Sequence, residues 1–86
     1  MDDINSILNS LRQSALNNIF TRDYDTAIGE LKKAEMIDRD NPEILFNLGI
    51  SYSRKGLYKT ASEYFLRVLS LKFSFIDSVI VKKNIA

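Results

Sequence analysis

The sequence predicts an all-α fold: two helical hairpins in tandem, followed by a C-terminal helix. Three observations carry this. Apolar residues recur at three- and four-residue intervals along the chain, the period of one helix face. The sequence overlays on itself when shifted by 34 residues. The breaks between periodic segments are short and carry helix-start and helix-stop residues, which makes consecutive helices antiparallel neighbours.

The first helix is read from Ile4, Ile7, Leu8, Leu11, Ala15, Leu16, Ile19 and Phe20. Thr21-Arg22-Asp23 interrupts it, and a second helix follows with Tyr24, Ala27, Ile28, Leu31, Ala34 and Ile37 on one face. The stretch Asp38-Arg39-Asp40-Asn41-Pro42-Glu43 then punctuates the chain. Asn41 caps a third helix, Pro42 suits its first turn and Glu43 suits the positive end of its dipole. That helix runs from Pro42 to about Lys55, where Gly56 supplies a left-handed stop behind the basic Arg54 and Lys55. Helix four carries Leu57, Tyr58, Ala61, Tyr64, Phe65, Val68, Leu69 and Leu71. A fifth segment starts at Ser74, where Ser74-Phe75-Ile76-Asp77 resembles a capping box. Val79-Ile80-Val81 is β-branched and suits a strand, but a lone strand would lack a pairing partner, so residues 76–84 are expected as helix.

The composition bounds what such a fold can do. The chain has 86 residues, which predicts one domain over 1–86. Hydrophobic residues make up 45%, and no run approaches the roughly 18 needed to span a membrane. The N-terminus MDDINSILNSLRQS lacks a basic n-region and an apolar h-region, and no targeting address is visible, so a cytoplasmic location is the default. There is no cysteine and no histidine, which removes the best thiol nucleophile and the usual general base. The three glycines are isolated, so no phosphate loop exists, and metal-ligand spacing is absent. We therefore expect no enzyme, no cofactor and no metal. Net charge is +1, and the pairs Lys32-Lys33 and Lys82-Lys83 are too small for nucleic-acid affinity. The charge is uneven: residues 1–41 hold five basic and eight acidic groups, net −3, and residues 42–86 hold seven basic and three acidic, net +4.

In the 34-residue overlay Leu11 meets Leu45, Ala15 meets Gly49 and Leu16 meets Ile50. Tyr24-Asp25-Thr26-Ala27 meets Tyr58-Lys59-Thr60-Ala61, and Leu31, Ala34 and Ile37 meet Phe65, Val68 and Leu71. Two helices per 34 residues is the period of tetratricopeptide repeats, and the chain resembles that family over residues 8–75. Repeat two, 42–75, follows the family pattern with Leu48-Gly49, Tyr52, Ala61 and Phe65. Repeat one, 8–41, departs from it in its first helix, where Ser14-Ala15 and Asn18 stand instead. From Ile76 onward the chain resembles the first helix of a third repeat, a capping or third-repeat helix. The resemblance implies a right-handed α-solenoid in which Ala15, Gly49, Ala27 and Ala61 are small so that paired helices can cross closely, with Tyr52 and Phe65 as bulky fillers. Tyr24, Tyr58 and Tyr64 are expected in the core.

The resemblance also implies that the first helix of each pair lines a concave face that binds proteins. Partner-binding candidates there are Arg12, Gln13, Leu16 and Phe20 from helix one and Phe46, Asn47, Ile50 and Arg54 from helix three. A family subclass grips a C-terminal carboxylate with lysine and asparagine side chains. Asn47 and Arg12 fit that set, but Leu16, Asp77 and Val81 do not, and Asp77 would repel a carboxylate. An extended or helical segment with apolar side chains is the better ligand. The expected function is a non-enzymatic interaction module or adaptor for a peptide or helix of a partner protein, either small in itself or a fragment of a larger protein. The alternative is a self-assembling scaffold element that stacks or dimerises as a homo-oligomer through its open ends.

Overall fold

Four helices follow one another in the computed structural model: α1 (Ile4–Phe20), α2 (Tyr24–Ile37), α3 (Pro42–Arg54) and α4 (Tyr58–Ile85). The backbone of residues 3–85 and the side chains of residues 3–72 are described. Helices α1 and α2 form one hairpin, α3 and α4 a second, and α2 packs on α3 to join them.

Helix ends lie where local chemistry puts them. Asp3 caps α1 by accepting the Ser6 N–H at 2.8 Å. Asp23 caps α2, accepting from the Thr26 N–H and, at 2.7 Å, from its hydroxyl. Asn41 caps α3, its Oδ1 accepting from the N–H groups of Glu43 and Ile44. These bonds satisfy donors that have no partner within the helix.

Both hairpin turns repeat one backbone pattern at the 34-residue interval. In the first, the Asp23 N–H donates to the Asn18 carbonyl and the Arg22 N–H to that of Ile19. In the second, the Leu57 N–H donates to the Tyr52 carbonyl and the Gly56 N–H to that of Ser53. This is a Schellman closure, which needs one residue in the left-handed region. Gly56 supplies it at φ +82°, and Arg22 supplies it at φ +68°. Arginine carries the Cβ penalty that glycine avoids.

The core runs through both hairpins. Leu8, Ala15, Leu31, Ala34, Ile44 and Leu48 form one buried cluster, with Leu11, Ile19, Ile28, Tyr52 and Tyr64 packed against it. Ala27, Leu45, Gly49 and Ala61 are also buried. The small residues do mark close crossings: a Cβ built on Gly49 would lie 2.5 Å from Cε1 of Phe65. Ser51 is buried too, and its hydroxyl is satisfied by donating to the Asn47 carbonyl at 2.8 Å.

Period and packing vary together between the hairpins. The Asn18 amide of hairpin one donates to Glu30 Oε1 at 2.6 Å. Their counterparts 34 residues on, Tyr52 and Tyr64, stack with centroids 5.6 Å apart and planes within 8°. The same geometric slot holds a hydrogen bond in one repeat and an aromatic stack in the other.

Two expectations are corrected. The C-terminal helix over 76–84 is not separate: its backbone continues α4 without a break at Ser74. The reason lies in the sequence. The Asp38-to-Pro42 punctuation has Lys72-Phe73-Ser74-Phe75-Ile76 as its counterpart, with neither proline nor a capping Asn at the matching place. Ile44, Leu48 and Gly49 have Ser78, Lys82 and Lys83 as counterparts, which cannot form a third close-packed seam. Tyr58, expected in the core, is exposed because it begins α4 on the solvent side of the turn.

Candidate docking surfaces

The eight candidate residues fall into four pairs at the repeat interval: Arg12 and Phe46, Gln13 and Asn47, Leu16 and Ile50, Phe20 and Arg54. On α1, Gln13, Leu16 and Phe20 are exposed, Phe20 to 89%. Leu16 and Phe20 are one turn apart and so share a face of the helix. On α3, Asn47 and Ile50 are half-buried and Arg54 is exposed. Arg54 sits in the last turn, where its charge suits the negative end of the helix.

Arg12 and Phe46 are occupied differently. Nη2 of Arg12 donates to Oε2 of Glu43 and ties α1 to α3, while its buried Nε has no partner. Its charge is thus answered within the protein. The Phe46 ring turns towards α4, 5.6 Å from that of Phe65 and tilted by 56°, a favourable aromatic arrangement. With Phe65, Val68, Leu69 and Lys72 it lines a groove of about 460 Å³. A neighbouring hollow of about 330 Å³ is lined by Pro42, Val68, Leu71 and Lys72. The structure therefore separates Phe46 from the α1 candidates and gives it to the edge of the second hairpin.

Sequence reasoning assigned Val68 and Leu69 to the core face of α4. They lie on the helix face that the periodicity predicts, yet Leu69 is 47% exposed. The available signal was the overlay itself: Leu69 stands where repeat one has Glu35, and Phe46 where it has Arg12.

Charged contacts join the elements elsewhere. Lys55 Nζ donates to Asp25 Oδ1, linking the end of α3 to the start of α2. Arg67 Nη1 donates to Glu35 Oε2 at 2.8 Å and lies 5.6 Å over the Tyr64 ring. Lys32 lines a cleft of about 300 Å³ with Tyr52, Thr60, Glu63, Tyr64 and Arg67. Attraction to the Tyr64 oxygen holds its ammonium above the ordinary 10.5; slight burial opposes this and Tyr52 adds to it. Among the described residues, no group of three or more acidic, histidine or cysteine side chains could hold a metal ion. No helix among them is long and apolar enough to cross a membrane.

Two family models match the chain: a TPR repeat over residues 23–56 and a tetratricopeptide repeat over residues 42–75. The first match begins at the cap of α2 and ends at the left-handed Gly56; the second begins with α3 and ends within α4. No curated protein and no solved structure matches the chain.

Proposed function

The chain belongs to the tetratricopeptide repeat family, whose repeats are generally non-enzymatic protein–protein interaction modules, and on that basis we propose that it is an adaptor docking a peptide or helix of a partner protein across α1 and α3. One observation carries the reading. Leu16 and Phe20 stand exposed one turn apart on α1, outside the buried cluster. Asn47 and Ile50 flank them at the matching turns of α3. A strip with apolar side chains at its centre and Gln13, Asn47 and Arg54 at its margins has the make-up of an interaction surface. An amphipathic helix or an extended segment with apolar side chains suits it.

The test is site-resolved crosslinking. A photoreactive phenylalanine analogue replaces Phe20 in the cells that make the protein, and another replaces Met36 on α2, which is equally open to solvent. A discrete protein adduct at position 20, absent at position 36 and lost in Leu16→Glu with helicity retained, is expected. Equal labelling from both positions, or labelling that Leu16→Glu leaves intact, overturns the reading.

A further inference from the structure

The groove lined by Phe46, Phe65, Val68, Leu69 and Lys72 has a counterpart that is already filled. Thirty-four residues earlier these positions hold Arg12, Leu31, Ala34, Glu35 and Asp38. All five belong to the seam where hairpin one meets hairpin two. Leu31 and Ala34 share the buried cluster with Ile44 and Leu48 of α3. Arg12 pairs with Glu43 and Glu35 with Arg67. Asp38 Oδ2 accepts from the Asn41 amide, the cap of α3, at 2.9 Å. The groove is thus the same seam one repeat later, with its helix missing among the described side chains.

The counterpart states what the occupant looks like. It is a helix lying as α3 lies, with apolar residues four apart in the places of Ile44 and Leu48. At two positions the chemistry has changed. Arg12 and Glu35 needed oppositely charged answers, whereas Phe46 and Leu69 need apolar ones. At the third, Asp38 has become Lys72, the one charge lining the groove among the described residues. Asp38 faces the helix cap, so Lys72 faces an acceptor there. A carboxylate in the first turn answers it and also suits the positive end of the incoming helix.

A second copy of the chain does not meet this description. Its α1 offers Ser10, Ser14 and Asn17 where α3 offers Ile44, Leu48 and Ser51, so head-to-tail stacking lacks the apolar stripe. Tail-to-tail contact brings together two halves of charge +4. We infer that the α3–α4 edge is a docking site for an amphipathic helix of another protein, one with an apolar i, i+4 stripe and an acidic N-terminal turn.

The probe is a fluorescent acetylated peptide of residues 41–55 carrying Asn41→Asp and Glu43→Leu, with a twin carrying Asn41→Lys and Glu43→Leu. Polarisation titrations with the full chain should show saturable binding of the aspartate peptide, at least about tenfold tighter than the twin, or roughly 1.4 kcal/mol. Lys72→Glu should reverse the preference, and Leu69→Glu should abolish binding while circular dichroism stays unchanged. Leu16→Glu, on the other face, should leave it intact, which separates this site from the α1–α3 strip. Absence of saturable binding, indifference to charge at position 72 or survival in Leu69→Glu overturns the inference. So does a dimer in light scattering that Leu69→Glu dissociates, since a second copy would then cover the groove.

Discussion

Arg22 and Gly56 occupy the same place in the same turn, and only one of them is suited to it. At φ +68° the Arg22 Cβ crowds its own backbone, a strain that glycine at φ +82° does not feel. Arg22→Gly should therefore raise the free energy of unfolding by about 1 kcal/mol, and Gly56→Ala should lower it by about 1–2 kcal/mol, both read from urea midpoints. Gly49 tests a different cause. Its backbone is helical, but the Phe65 ring fills the space a methyl would take. Gly49→Ala should cost about 1–3 kcal/mol by overpacking. The cost should shrink when Phe65→Leu is added, so that a double-mutant cycle shows favourable coupling. In the first hairpin the slot is divided the other way, with Ala15 against the smaller Leu31.

Each connection between paired helices carries half of a good ending. The first has an ill-suited left-handed residue but a capping Asp23; the second has Gly56 but, in the matching place, Leu57, which offers no side-chain acceptor. Leu57 is half exposed, so Leu57→Asp should gain about 0.5–1 kcal/mol by capping α4. Ile44→Ala or Leu48→Ala on α3 should instead lose about 2–5 kcal/mol, because both are fully buried in the seam between hairpins. Lys32 links α2 to the tyrosine pair. Its pKa is raised in the folded state, so its contribution is complete below the ordinary 10.5 and disappears as pH climbs through the raised value. The difference in melting temperature between the wild type and Lys32→Met should be flat from about pH 6 to pH 9 and should shrink above 10.5. The ends of α1, α2 and α3 were legible in the sequence because a cap or a left-handed stop is a local signal. The course of α4 was not. Ser74 imitates a helix start, but a helix ends only when something ends it, and no glycine or proline follows Gly56. The α3–α4 groove was hidden for another reason: periodicity reports which side chains share a face and is silent on whether anything covers that face.

At the scale of the molecule, the radius of gyration is 15.1 Å, against about 12 Å for a near-spherical fold of this length. The excess reflects a slab 18 Å thick, two helices deep, with α4 alone running about 42 Å. The two edges of this slab differ in kind. The outer side of α1 presents Ser10, Ser14 and Asn17, and the outer side of the second hairpin presents Phe46, Val68 and Leu69. Light scattering should accordingly report a mass that does not grow with concentration at either low or high salt; steady growth would mean that the two edges recognise each other. An open filament propagates only when each subunit offers two complementary ends. With a single adhesive end, the molecule has a valence of one, and in polymer terms it is a chain stopper: whatever array of helices it joins, it leaves with a blunt, wetted terminus on which nothing further can crystallise.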